Sequence, residues 1–319
     1  MRTQTIRIMC AVGVGCSIAL FFLTLFSLRQ LPVVDGTKKY SVVCTTSMIT
    51  DLVQQIVGNR IIVHGLMGPG VDPHVYRARA GDMHKFSQAD IIFYNGQHLE
   101  GKMVDIFVAM ASKKKVVAIA DAVPQSLLLS SDFDGVYDPH IWHDVSLWCM
   151  AAELVGKVVS DIDRENSEWY QIRTKEYVSQ LLALHEEVKT FLHKITQEQR
   201  ILVTAHDAFR YFGRAYGFQV VGLQGISTES QVGIQEVSSL AQYIALHKIR
   251  AIFIESAAPQ RNICAVQKAV AALGWHTIIG DSLCADALGL SSENADTYIG
   301  MMRYNVAVIL RGLYDHDNS

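Results

Sequence analysis

Short apolar, β-branched runs recur along the chain, with longer segments of helical period between them. In the first half these runs are Ser41–Thr46, Ile61–Leu66, Asp90–Tyr94 and Val116–Ala120; in the second they are Ile201–Thr204, Phe218–Leu223, Ala251–Glu255 and His276–Gly280. The runs are nearly continuous in apolar residues rather than alternating, which is how strands read when both faces are covered. Strands of this kind separated by helices predict an α/β fold with parallel sheets. Four strands in each half predict two similar lobes, each with a four-stranded, mainly parallel sheet flanked by helices. The longest helical pattern lies between the two sets. Tyr177, Leu181, Leu184, Val188, Phe191 and Ile195 recur at intervals of four and three, which is one face of a helix. Asn166 is its expected N-cap, and no Gly or Pro interrupts the segment before Gln199. At about 1.5 Å per residue it would run roughly 45 Å, a stiff backbone helix joining the lobes and resisting a wide hinge. The expected division is a leader over 1–36, a first lobe over 37–165, the linking helix over 166–198 and a second lobe over 199–319.

The N-terminus departs from this pattern. Arg2 and Arg7 precede an uncharged run from Ile8 to Leu28, and Arg29 follows it. A positive start and an apolar stretch read as a secretion signal. A run of about 21 residues is also long enough to span a bilayer. No small-x-small cleavage site follows, and Gly13, three positions before Cys16, makes a poor lipidation signal. The leader is therefore either cleaved or kept as an anchor touching the membrane through 8–28. In both cases the body works outside the cytoplasmic membrane, in the periplasm or its equivalent.

Composition narrows the function classes. Of 319 residues half are apolar and 18% are charged, and the net charge is −3. That length accommodates two domains, and the absence of a basic excess argues against a nucleic-acid partner. Of the six cysteines, Cys10 and Cys16 fall in the leader, leaving Cys44, Cys149, Cys264 and Cys284. None forms a C-x-x-C pair, so a thiolate zinc site is not supported. Export permits a Cys264–Cys284 disulfide, and buried free thiols are the alternative.

The candidate chemistry lies in the histidines. Asp72-Pro73-His74 and Asp138-Pro139-His140 each follow an apolar run, and His206 closes the run that begins at Ile201. In parallel α/β lobes, ligands bind outside the carboxyl ends of the strands. A fourth ligand is expected in the segment Gly280–Asp286, which holds two aspartates. Each proline restricts the backbone before its histidine, and Asp72 and Asp138 could orient loops or imidazoles. Three imidazoles and a carboxylate suit tetrahedral zinc, or manganese or iron where the carboxylate is bidentate. His64, His98 and His143 lack this placement and read as surface or packing residues, with His143 the substitute should His140 fail. Imidazoles ligate only when neutral, so metal affinity is expected to fall below about pH 6.5.

Several longer blocks carry a resemblance. They are Gly65–His74, Tyr94–Glu100, Asp138–Trp142, Val203–Phe209 and Phe253–Ser256, in that order. Together they resemble the TroA-type solute-binding proteins of zinc/manganese ABC importers, over about residues 40 to 310. The resemblance implies two α/β lobes joined by one backbone helix, with a divalent metal bound between them as the transported ligand. It also implies delivery to a membrane permease driven by a cytoplasmic ATPase, and a monomer is expected. Carried over position by position, the metal ligands fall on His74, His140, His206 and Asp286, with Asp281 as the fallback for the fourth. His206 stands where some manganese-preferring relatives have Glu, yet no His-rich acidic loop of the zinc-dedicated kind lies between Ser126 and Asp138. The metal therefore stays open among zinc, manganese and iron. No enzyme is expected, since no H-E-x-x-H motif is present and four protein ligands would close the site. The alternatives are an exported metal-dependent hydrolase using Glu255 as base, and an adhesin or scaffold with a structural metal.

Overall fold

The computed structural model describes residues 39–131, 135–256, 258 and 260–314. The leader expected over 1–36, with its apolar run 8–28, lies outside the described residues. Among the described residues no helix is long and apolar enough to cross a membrane.

The first half is built from β1 (Ser41–Cys44), α1 (Ser47–Val57), β2 (Ile62–Gly65), α2 (Ala80–Gln88), β3 (Ile91–Tyr94), α3 (Val104–Ala111) and β4 (Lys115–Ala118). Its sheet has the order β2-β1-β3-β4, and every neighbouring pair is parallel. Parallel neighbours require a crossover, which α1, α2 and α3 supply in turn. Helices α4 (Val145–Ile162) and α5 (Ser167–Leu192) follow. The second half holds β5 (Ile201–His206), α6 (Arg210–Tyr216), β6 (Gln219–Gln224), α7 (Ile234–Leu246), β7 (Ala251–Glu255), α8 (Gln260–Ala272), β8 (Ile278–Leu283) and α9 (Tyr298–Leu313). Its strands form two parallel pairs, β5–β6 and β7–β8, rather than one continuous four-stranded ladder. β5 and β7 lie side by side. The register of β7 against β8 shifts between Phe253 and Glu255, where the Glu255 carboxylate reaches across to β5.

The long helix α5 differs from its sequence expectation at both ends. Asn166 occupies the N-cap position, but its side chain caps nothing. It instead donates to Asp163 at 2.8 Å and accepts from Arg60 at 2.5 Å. Toward the C-terminus the buried stripe runs Tyr177, Leu181, Leu184, Val188, Leu192 and Ile195, whereas Phe191 is 42% exposed. Spacing of three or four allows either neighbour, and packing selected the aliphatic one. Lys194 lies over the exposed Phe191 ring, 5.5 Å from its centroid.

The largest apolar cluster runs through both halves. It joins Val42, Ile91 and Phe93 of the first sheet to Trp148, Leu181, Phe209, Phe253 and Met301. Two smaller clusters cover the outer faces, one around Phe86 and Phe107 under α2 and α3, the other around Ile244 and Val266 under α7 and α8. At the centre, α4 and α5 approach so closely that a Cβ on Gly156 would sit 2.1 Å from Thr174 Oγ1. The four described cysteines are free, so Cys264 and Cys284 remain thiols.

Candidate metal centre

Each sequence-expected ligand sits where a strand or its following loop delivers it. His206 is the last residue of β5, His74 lies in the loop after β2, and His140 lies beyond β4 in the loop leading to α4. Asp286 follows β8 by three residues. The four side chains come together in one buried cluster, each offering a ligand atom within 4.8 Å of the others. His74 and His140 face each other Nε2 to Nε2 at 3.3 Å. Asp286 presents Oδ2 to His206 Nε2 at 3.2 Å and to His74 Nε2 at 3.6 Å, and Oδ1 to His140 Nε2 at 3.4 Å. Atoms about 2.0–2.2 Å from a shared zinc at tetrahedral angles stand about 3.3–3.6 Å from one another. Four of the six pairs stand close to that spacing, and all lie within 4.8 Å, close enough for one ion to draw them together. Both Asp286 oxygens and His206 Nε2 are buried without hydrogen-bond geometry to any neighbour, a costly state that a bound cation relieves.

The surrounding residues aim these atoms. Asp138 Oδ1 accepts from the backbone N–H of His140 at 2.9 Å and pairs with its Nδ1 at 2.8 Å. Glu255 does the same for His206, accepting the backbone N–H at 3.0 Å through Oε1 and facing Nδ1 through Oε2. Holding Nδ1 leaves Nε2 as the nitrogen available to a metal. Asp72 acts differently: its Oδ1 accepts the backbone N–H of His74 at 2.9 Å and leaves the ring alone. The loops are fixed in turn by distant residues. Asn95 Nδ2 donates to the Pro139 carbonyl at 2.9 Å, and Trp142 Nε1 donates to the Ala285 carbonyl at 2.8 Å. Asn305 on α9 brackets Cys284, accepting its N–H at 2.9 Å and donating to its carbonyl at 2.8 Å. Nothing in the local sequence marks Asn95, Trp142 or Asn305 for these roles, because their partners are 21 to 143 residues away.

Burial and charge set the protonation of the metal-free site. Desolvation pulls His74 down to about 3. Burial also acts to lower His140, but Asp138 and Asp286 outweigh it and push the imidazole up to about 9. For His206 burial is likewise outweighed, by Glu255 and Asp286, and the ring lies well above its ordinary value. Asp286 is held well below the usual carboxylate range: burial opposes ionisation, but His206 and His140 prevail.

The remaining candidates lie elsewhere. Asp281, the fallback for the fourth position, is 64% exposed and paired with Arg311 at 2.8 Å. His64 and His98 are exposed. His143 is buried and stacked on Phe209, ring centroids 4.2 Å apart, outside the group of four.

The family model described as zinc-uptake complex component A, periplasmic, matches residues 42–312. The zinc-binding protein TroA of Treponema pallidum is 42% identical over 279 residues, 88% of this chain and 90% of that protein. The manganese-binding lipoprotein MntA of Bacillus subtilis is 37% identical over 279 residues, 88% of this chain and 91% of its own length. The solved structure of the Treponema periplasmic zinc-binding protein superposes with a TM-score of 0.85 at 41% identity, covering 87% of this chain and all of that one.

Proposed function

The chain belongs to the family of periplasmic zinc-uptake component A, and from that premise we propose that it captures a divalent transition metal and hands it to an ABC importer. The convergence of three imidazoles and one carboxylate, two from each half of the chain, carries this reading. In it His74, His140, His206 and Asp286 are the metal ligands, and the ion is cargo. Zinc and manganese are the favoured ions, and iron the third. Three nitrogens and one Asp286 oxygen make a tetrahedral zinc site, and both oxygens together raise the coordination number toward what manganese accepts. Residues 37–165 and 199–319 are the two lobes, and 166–198 is the element between them. The partners are a membrane permease and its cytoplasmic ATPase. The protein acts as a monomer outside the cytoplasmic membrane, with 8–28 as leader or anchor.

A hydrolytic role is disfavoured by the position of Glu255, the one base the sequence offered. It is buried, and both its oxygens are engaged with His206. The test is titration of metal-stripped protein with Zn2+ and Mn2+ against a competing chelator, with elemental analysis of the product. One ion per chain is expected, held by a site that His206→Ala weakens severely while the fold survives. Normal binding by that variant, or a chain that takes up neither ion, ends the reading. Turnover of ester or phosphoester substrates lost on Glu255→Gln would revive the hydrolase.

A further inference from the structure

The loop after β6, residues 225–233, reaches from the second half to the first at two points. Thr228 Oγ1 donates to Asp72 Oδ2 at 2.6 Å. Next to it, Lys102 Nζ donates to Glu229 Oε2 at 2.5 Å. The base of this loop is fastened to the strand pair that carries His206. Gln224 Nε2 donates to the Ser230 carbonyl at 2.5 Å, Asp207 N–H donates to the Gly225 carbonyl at 3.3 Å, and Gln224 lies opposite His206 in the β5–β6 register. On the other side, the second oxygen of Asp72 accepts the backbone N–H of His74. One carboxylate therefore ties the backbone of His74 to a loop of the opposite half, and that loop is itself tied to the strand of His206.

We propose that Thr228 and Asp72 form a clasp between the two halves that sets how fast the bound metal leaves, with Asp72 the positioning residue that transmits it to His74. The inference rests on the metal-binding reading above. An ion surrounded by four buried side chains cannot depart until the ligands of one half separate from those of the other. Every bond between the halves that must break during that separation adds to the barrier for release. The Thr228–Asp72 bond is partly buried and has a carboxylate acceptor, the stronger kind of hydrogen bond. The Lys102–Glu229 pair is more open, with side chains 32% and 41% exposed, so solvent and salt weaken its share. Thr228 donates its hydroxyl and touches no ligand atom directly; removing it loosens the clasp and leaves all four metal-binding groups in place.

The experiment measures release from the intact chain loaded with Zn2+ or Mn2+, after rapid mixing with excess chelator. Thr228→Val is expected to release about tenfold faster, the scale of losing one hydrogen bond to a charged group, with the association rate little changed. Thr228→Ser restores the hydroxyl and should restore the slow rate. On an Asp72→Ala background, Thr228→Val should add nothing, because both substitutions break the same bond. Glu229→Gln should quicken release by a smaller factor that fades as salt is raised. Should the valine variant not fold, Thr228→Ala carries the same expectation. Release from Thr228→Val within twofold of the parent, or a serine variant as fast as the valine one, overturns the clasp. A parent chain that binds neither ion defeats the metal-binding reading first, and the clasp falls with it.

Discussion

Glu255 grips His206 at two places, accepting its backbone N–H at 3.0 Å with one carboxylate oxygen and facing its Nδ1 with the other. The strand end and the ring are thereby fixed together, and Nε2 is left facing Asp286 at 3.2 Å. Asp138 holds His140 at the same two points, but through one oxygen, Oδ1. The third histidine has no such partner on its ring, and Asp72 holds only its backbone.

This asymmetry predicts unequal effects of substitution. Glu255→Gln supplies one acceptor where two are used, so metal affinity should fall about 10- to 100-fold, the usual cost of losing an outer partner of a ligating histidine. Replacing a proposed ligand itself, as in Asp286→Ala, should cost more than that. Competition titration with a chelator of known affinity ranks the three proteins; equal affinity for parent and Glu255→Gln would refute the positioning role.

Metal uptake should release protons. Ligation requires neutral imidazoles, yet His140 in the metal-free site is pushed up to about 9 and His206 is also raised. At pH 7 the His140 ring therefore carries a proton that the metal must displace, and the upward shift of His206 acts in the same direction. Affinity should keep rising between pH 6.5 and 9, a window higher than the free-imidazole expectation of about 6.5. Calorimetry in buffers of different ionisation enthalpy reads the proton count directly, and a buffer-independent heat at pH 7 would contradict it.

The metal-free protein should lose stability as pH falls from about 6.5 toward 3. Burial holds His74 and His143 down to about 3 in the folded chain. The unfolded chain binds protons at these positions first, so stability is full above the unfolded value and drains through this window. His140 and His206, with raised values, oppose the loss close to 6.5, where their unfolded rings are still taking up protons; about one unit lower they are protonated in both states and contribute no slope, so the decline is steepest there. Chemical denaturation across this range should show the decline, and His143→Leu should make it shallower by one proton. An unchanged slope in that variant would count against the assignment.

Gly156 is predicted to tolerate no side chain. Alanine ordinarily stabilises a helix over glycine by about 1 kcal/mol. Here the added Cβ would meet Thr174 Oγ1 at 2.1 Å and Cγ2 at 2.8 Å. The forced separation of α4 from α5 should cost about 1–3 kcal/mol, the usual penalty for overpacking. Gly156→Ala should therefore melt lower than the parent, and Thr174→Ala in the same chain should recover much of the loss. A single variant that melts higher would show that the helices yield easily.

Asn305 offers a test of how α9 supports the site. Its side chain satisfies both backbone groups of buried Cys284, and Asn305→Leu would leave each unpaired at about 1–3 kcal/mol. Because Asp286 lies two residues on, metal affinity should fall along with the melting temperature. Undiminished affinity in a destabilised variant would confine Asn305 to a packing role.

How much of this was legible beforehand follows the range of the interactions involved. The strands were visible as apolar runs because a strand buried on both faces must be apolar at nearly every position. The three histidines were visible because Pro73, Pro139 and the end of β5 mark them locally. Leu192 in place of Phe191 was not legible, since helical period accepts both and only the packed neighbours distinguish them. Asn166 matched an N-cap by type, but Asp163 and Arg60 compete for its side chain. From the sequence Glu255 reads as a strand-end carboxylate and a potential base, because nothing local reveals that His206 lies beside it on a strand 49 residues away.

The amino-acid order alone determined the succession of strands and helices and the local stiffness around His74 and His140, since both depend on residues within a few positions of one another. For the fourth side chain the family resemblance favours Asp286 over Asp281, but the residues alone do not separate the two, which share one short segment and one chemistry. Tertiary structure brings Asp286, and not Asp281, into the cluster of imidazoles. Asp281 lies exposed against Arg311, whereas Asn305 holds Cys284 and Trp142 holds Ala285, so the chain turns inward and Asp286 is buried among the imidazoles. A carboxylate stays ionised without water only where positive charge or its equivalent surrounds it, and that condition is met where segments far apart in sequence converge.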